Sequence, residues 1–373
     1  MTFSERLVNS GKKRMLALDG GGIRGVIALQ VLKRIEEILR TRSGNASLVL
    51  SDYFDYISGT STGAIIATCL AIGMSVDAIA AFYYESGPAM FSRAVLLKRF
   101  WYKFTDESLA AKLQSILGKD ATLGDPKIRT LLMLVMRNAT TDSPWPVSNN
   151  PRAKYNDRAR ANCNLNLPLW QLVRASTAAP TYFPPEVVNI GKQDFVFVDG
   201  GVTMYNNPAF QMFLMATLEP YKLHWDTGVE KMLIASVGTG TSPAPEANLQ
   251  TGDMNLLYQA SSIPSALMYA ALIEQDLLCR VFGHTLAGCQ LDRELGDLKG
   301  SAGAVKEKLF TYARYNAELS ADGLQQLGLP QIRPEDVRKM DSIEFIRELE
   351  QVGQKVAEIE VKPEHFDRFP VLN

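Results

Sequence analysis

The chain has 373 residues, 46% of them hydrophobic and 21% charged, an ordinary globular make-up long enough for one large domain or two smaller ones. Its 39 Lys and Arg against 40 Asp and Glu leave a formal net charge of −1, so no global field draws it to a nucleic acid polymer or to anionic lipid, and any membrane contact must be local. Cys69, Cys163, Cys279 and Cys289 form no C-x-x-C pair and no metal-ligand spacing; they suit a reducing compartment and are expected to be small buried hydrophobes, with no metal site.

Met1 to Lys13 is polar and charged, without an apolar run of signal-peptide length, and no uninterrupted apolar stretch is long enough to span a bilayer. The expectation is a soluble cytoplasmic protein. Arg14 to Leu18 is a short buried strand ending in Asp19-Gly20-Gly21-Gly22-Ile23-Arg24-Gly25, and an amphipathic helix follows from about Val26 to Leu39, with Leu29, Leu32, Ile35 and Leu39 on one face. The glycine loop fits two chemistries. Gly20-x-Gly22-x-x-Gly25 between strand and helix satisfies a dinucleotide fingerprint, with a pyrophosphate on the helix N-terminus. The same exposed N–H groups suit an oxyanion formed in acyl transfer. A dinucleotide unit wants an acidic residue at the end of the next strand, and the strand near Tyr53 to Ser58 ends in a serine turn instead. The oxyanion loop is therefore preferred.

That turn is Gly59-Thr60-Ser61-Thr62-Gly63, a G-x-S-x-G pattern between a strand and the apolar helix Ala64 to Met74. A serine on such a turn has its Oγ pushed above the sheet, with the following helix pointing unpaired N–H groups and the positive end of its dipole at it. Ser61 is a candidate nucleophile. From Gly87 to Phe104, rings including Phe100, Trp101 and Phe104 interleave with Arg93, Lys98, Arg99 and Lys103. That mixture suits a bilayer interface, as a lid or lipid-entry surface, and equally a core helix with solvated cations.

Leu131 to Arg137 is a buried strand, Asn138 to Asn164 a polar surface excursion, and Leu167 to Ala179 a helix broken by Pro180, Pro184 and Pro185. Phe195 to Val198 is a strand running into Asp199-Gly200-Gly201. Met232 to Val237 is another, Ser242 to Gly252 a loop, and Ser262 to Leu278 an apolar helix read as packed core. The last helix is expected from Asp341, with Asp341 and Glu344 at capping-box spacing and Ile343, Ile346, Leu349 and Val356 on one stripe. Strands alternating with helices predict one α/β domain with a mostly parallel sheet and a helical carboxyl end.

A serine hydroxyl needs a base, and the chain has three histidines, His224, His284 and His365, none on a glycine-braced turn. Asp199, at a strand end with glycines after it, is the better base. A carboxylate near pKa 3.9 is a weak one, and desolvation in an apolar cleft would strengthen it.

Asp19 to Gly25, Gly59 to Gly63, Ala175-Ser176-Thr177-Ala178-Ala179-Pro180-Thr181-Tyr182-Phe183 and Asp199-Gly200-Gly201 together resemble the ordered motif set of the patatin-like phospholipases, over roughly Lys13 to Gly240. The resemblance implies a three-layer α/β fold with residues 13–240 as catalytic core and 241–373 as the remainder of the same domain. It implies a Ser-Asp acyl hydrolase of membrane glycerophospholipids, needing no cofactor and peripheral at the inner membrane when active. Carried over by motif, Ser61 is the nucleophile, Asp199 the base, Gly20, Gly21 and Gly22 the oxyanion loop and Arg24 the cation beside it. From Phe310 to Leu329 the chain more narrowly resembles bacterial patatin-like effectors of cyclic-nucleotide antiphage signalling (CBASS). This implies activation by a cyclic di- or trinucleotide. Binding such an anion in a chain of net charge −1 needs a local cluster of cations, and Arg280, Arg293, Lys306, Lys308 and above all Arg314 are the nearest supply outside the four motifs, with assembly into a homo-oligomer as one way for binding to favour the active state.

Overall fold

The computed structural model describes residues 2–91, 106–180, 182–241 and 256–371. Phe100, Trp101 and Phe104, and the loop expected over Ser242 to Gly252, lie outside the described residues. The central strand β1 (Lys13–Leu18) is buried along its whole length. Leu16 and Leu18 enter one apolar layer while Met15 and Ala17 enter the other, the period-two consequence of a strand covered on both faces.

Around it the sheet has nine strands: β2 (Tyr56–Thr60), β3 (Leu131–Asn138), β4 (Ser143–Ser148), β5 (Glu186–Ile190), β6 (Gln193–Asp199), β7 (Met232–Val237), β8 (Gly283–Ala287) and β9 (Phe310–Tyr315) besides β1. Their order is β5-β6-β3-β2-β1-β7-β9-β8, with β4 also paired to β3. β1, β2, β3, β7, β8 and β9 are parallel, and β4, β5 and β6 join antiparallel. The main helices are α1 (Gly25–Ser43), α2 (Thr62–Ala71), α3 (Val76–Phe91), α4 (Asp106–Leu117), α5 (Leu169–Ser176), α6 (Ala209–Thr217), α7 (Leu256–Phe282) and α8 (Ile346–Glu360). α1 to α5 and α8 contribute to the core on one face of the sheet, and α6 with Cys279 of α7 to the core on the other. The result is a three-layer α/β fold with a mostly parallel central sheet.

Several expectations change. Ser143–Ser148, read as part of a polar excursion, is β4, which among the described residues pairs only with β3; its prolines are tolerated because such a strand has a free edge. Phe310–Tyr315 is a fully buried interior strand between β7 and β8. α7 begins earlier than read and is only partly core, since Ile263 and Leu267 stand exposed. Cys289 is exposed, unlike the other three cysteines. The last helix starts at Ile346 after a 3-10 turn over Ile343–Phe345, and Asp341 supplies its backbone carbonyl to Ile343 instead of a side-chain cap. Leu349, Val352 and Val356 do form the buried stripe of α8, each worth about 1.5–3 kcal/mol of burial. Among the described residues no helix is long and apolar enough to cross a membrane.

Candidate active site

The carboxyl edge of the parallel strands is where β2 stops and α2 begins. Ser61 occupies the turn with φ 54° and ψ −123°, a left-handed backbone that costs a non-glycine residue on the order of 1–3 kcal/mol. The turn is held by its neighbours. The Ser61 N–H donates to Ser176 Oγ at 2.9 Å, and Ser176 Oγ donates to the Val135 carbonyl of β3 at 2.5 Å. Gly63 lets α2 approach β1, since a Cβ there would stand 2.3 Å from the Leu18 carbonyl oxygen.

Asp199 reaches the same edge from the opposite direction. β2 pairs with β3 as far as Thr60 opposite Val135, and β6 takes up β3 immediately beyond, with Asp199 opposite Met136. Running antiparallel, β6 therefore ends at the carboxyl ends of its parallel neighbours. Ser61 Oγ donates to Asp199 Oδ2 at 2.5 Å, and Asp199 Oδ1 accepts the Gly201 N–H at 2.6 Å. Burial pushes the Asp199 carboxyl up from 3.8 to about 6, while the hydrogen bonds from Ser61 and Gly201 pull the other way. This is a carboxylate made more basic by desolvation, ionised at neutral pH and placed to take the Ser61 proton.

The glycine loop closes the site. The Gly20 N–H donates to the Asn206 carbonyl at 3.3 Å and the Ile23 N–H to the Met340 carbonyl at 2.9 Å, which leaves the Gly21 and Gly22 N–H groups without an acceptor among the described residues. Arg24 lines the cavity but directs Nη1 at the Arg338 carbonyl, 3.1 Å away. Burial lowers its pKa to about 10, against the pull of Asp19, so it stays charged at neutral pH. Ser61, Asp199 and the glycine loop open on a cavity of about 490 Å³ whose apolar wall includes Phe91, Phe183, Val202, Met268 and Met340. A larger groove of about 590 Å³ beside α1, α3 and α8 is lined by Lys33, Glu37, Asp77 and Glu350 and by no serine, threonine or cysteine among the described residues.

No histidine lines the cavity. His365 Nδ1 pairs with Tyr315 Oη at 2.9 Å, His284 lies in β8, and His224 Nε2 stands 3.5 Å from Glu219. Arg314, expected to meet a nucleotide, does not face solvent. It is 2% exposed and its guanidinium grips both oxygens of Asp19, the residue that opens the glycine loop, with Ser236 Oγ at 2.8 Å from Nη1. Burial alone would lower its pKa; the Asp19 carboxylate outweighs this and holds it above the usual arginine range. Arg280 is likewise committed, to Asp276 at 2.7 Å. Sequence reasoning gave no roles to Ser176, Asn206 or Met340. Ser176 sits inside the motif that follows β4 and so was within reach, whereas Met340 has no local signal.

The sequence profile described as "Patatin-like phospholipase" matches residues 16–213, more than half of the chain. The chain belongs to the patatin-like phospholipase family. Patatin-16 of Solanum tuberosum is 29% identical over 245 residues, and Patatin-17 of Solanum cardiophyllum 30% over 248; each match covers 61% of this chain and 60% of the patatin. The matched stretch thus spans about three-fifths of these patatins' own length. Among solved structures, VipD from Legionella pneumophila aligns over 91% of this chain and 67% of its own with TM-score 0.35 and 14% identity. ExoU, in its complex with SpcU from Pseudomonas aeruginosa, aligns over 72% and 52% with TM-score 0.31 and 17% identity. Within the patatin-like segment fall the glycine loop, the serine turn and Asp199, while β7, β8, β9 and α8 lie beyond it.

Proposed function

We propose that the protein is a serine acyl hydrolase that cleaves fatty acyl esters of membrane glycerophospholipids. The observation that carries this reading is the 2.5 Å contact from Ser61 Oγ to a buried Asp199 carboxylate, at the floor of an apolar cavity and beside two unengaged loop N–H groups. Ser61 Oγ attacks the ester carbonyl as its proton passes to Asp199 Oδ2, and the Gly21 and Gly22 N–H groups stabilise the oxyanion. Collapse expels the lysophospholipid alkoxide, which takes the proton from Asp199. Asp199 then deprotonates a water that attacks the acyl-enzyme, and the fatty acid leaves as Ser61 recovers its proton.

The test is labelling by a fluorophosphonate together with hydrolysis of a short-chain ester and of phospholipid vesicles. Ser61→Ala is expected to lose all three with its circular dichroism unchanged, and Asp199→Ala to lose both hydrolyses. Each of the three histidine-to-alanine variants is expected to keep them. An active Asp199→Ala with an inactive His365→Ala would overturn the Ser-Asp assignment.

The narrower resemblance adds a gate to this proposal: activation at the inner membrane by a cyclic di- or trinucleotide, with assembly of the chain on binding. With Arg280 and Arg314 engaged internally, a nucleotide dianion would meet the exposed Arg293 and Lys306 instead. Vesicle hydrolysis measured across a cyclic-nucleotide panel tests it, and activity that is full without nucleotide and flat across the panel removes the gate.

A further inference from the structure

Residues 338–342 lie outside the segment matched by the family profile, yet they meet the glycine loop. Both ends of this strap are fixed. Val337, fully buried, closes the short helix Pro334–Val337 on one side, and α8 packs against α1 on the other. Between them the Arg338 carbonyl accepts from Arg24 Nη1 and the Met340 carbonyl accepts the Ile23 N–H. Gly22 has φ +61°, and a Cβ there would stand 2.3 Å from the Met340 carbonyl oxygen and 2.9 Å from Met340 Cβ, so strap and loop backbone touch directly. Met340 is also one of the residues that line the cavity holding Ser61 and Asp199.

We propose that Met340 is a specificity-determining residue for the acyl chain, held as a fixed wall by a strap whose carbonyls also position the glycine loop. This rests on the acyl-hydrolase reading of the same cavity. The Met340 backbone cannot retreat from a long acyl chain without giving up its bond to Ile23, and the strap as a whole cannot without also releasing Arg24. The length limit therefore falls on the thioether side chain. Met340→Ala removes that side chain and leaves the carbonyl contact in place, which separates the two roles. Arg24 is the positioning residue of the pair.

The experiment uses the full chain and p-nitrophenyl esters from butyryl to dodecanoyl. Met340→Ala is expected to raise the dodecanoyl-to-butyryl ratio of kcat/KM about tenfold, and Met340→Phe to lower it by a similar factor, the scale on which apolar pockets read methylenes. Because the two variants shift the ratio in opposite directions, a loss of folded protein, which lowers both esters alike, does not imitate the result. Arg24→Met is expected to lower kcat on the butyryl ester with KM little changed, and Arg24→Lys, which keeps a donor toward Arg338, to restore most of it. Ratios identical in wild type, Met340→Ala and Met340→Phe overturn the specificity role; equal kcat loss in Arg24→Met and Arg24→Lys overturns the positioning role. A wild type that hydrolyses no ester and takes no fluorophosphonate overturns the hydrolase reading and this proposal together, whereas an active wild type with unmoved ratios overturns this proposal alone.

Discussion

Replacing Asp199 by asparagine is expected to abolish hydrolysis and at the same time to make the protein more stable at neutral pH. Burial lifts the Asp199 carboxyl from 3.8 to about 6, and two units are about 3 kcal/mol of difference between its protonation states. In the unfolded chain the group returns to near 3.8. Between these values the native state therefore binds more protons than the unfolded one, so stability falls as pH rises through the window. The full penalty of about 3 kcal/mol is present above pH 6 and is relieved as pH falls toward 3.8. Asp199→Asn keeps the shape and a carbonyl for the Gly201 N–H and removes the charge. It gives up the charged character of the Ser61 hydrogen bond, so the net gain expected from urea unfolding at pH 8 is about 1–3 kcal/mol, with most of it gone near pH 4. On the proposed mechanism the same group sets the wild-type rate. On an uncharged soluble ester, kcat/KM is expected to climb to a plateau with a midpoint near pH 6, about tenfold below the plateau at pH 5. An asparagine variant destabilised equally at pH 8 and pH 4, beside a wild-type rate flat between pH 5 and 8, would refute the picture of a desolvated base.

Ser176→Ala removes the bridge between the Ser61 N–H and the Val135 carbonyl; kcat on a soluble ester is expected to fall about tenfold to a hundredfold with KM nearly unchanged. Arg314→Met leaves the Asp19 carboxylate buried without its partner, and urea unfolding should show a loss of about 3–5 kcal/mol, most of it recovered when Asp19→Asn is added. Val202 of the cavity wall, and Met204 and Leu267 of an adjoining pocket that shares Val202 and Met268 with it, are 38%, 44% and 65% exposed, an apolar margin suited to contact with lipid. Met204→Ser with Leu267→Ser is therefore expected to lower vesicle hydrolysis several-fold and to spare a soluble ester, and equal loss on both substrates would contradict it.

The parallel strands were legible because both their faces are buried. β1, β3 and β7 are short, largely apolar runs ending at asparagine or just before glycine or Asp-Gly, β2 is marked by the serine turn it runs into, and β7 falls on the residues expected. β9 is as deeply buried but hides Thr311 and Arg314 among its apolar residues. The arginine is accommodated there by Asp19, which no local pattern connects to it. β4 was obscured by Pro144 and Pro146, which its free edge accepts. Apolar composition placed α7 in the core without marking the outward-facing part where Leu267 stands exposed. In the site, Ser61 and Asp199 could be picked out because each needs a particular turn chemistry next to it. The strap touches the loop through main-chain carbonyls, and a carbonyl looks the same at every position of a sequence.

The bond from Ser61 to Asp199 joins residues 138 positions apart, and the one from Arg314 to Asp19 spans 295. Synthesis proceeds from the amino terminus at roughly 5–20 residues per second, so about 15–60 s separate the appearance of Asp19 from that of Arg314. In the first part of that interval, until Asp199 is made, the growing chain carries Ser61 without its carboxylate partner, and in the rest of it the pair is present while Asp19, which opens the glycine loop, still lacks its anchor. A chain halted before the end of β6 carries Ser61 as an ordinary alcohol, and one halted between β6 and β9 carries Asp199 as well but not Arg314. On the proposed hydrolase reading, the complete site is thus assembled only with β9, the last described strand in chain order.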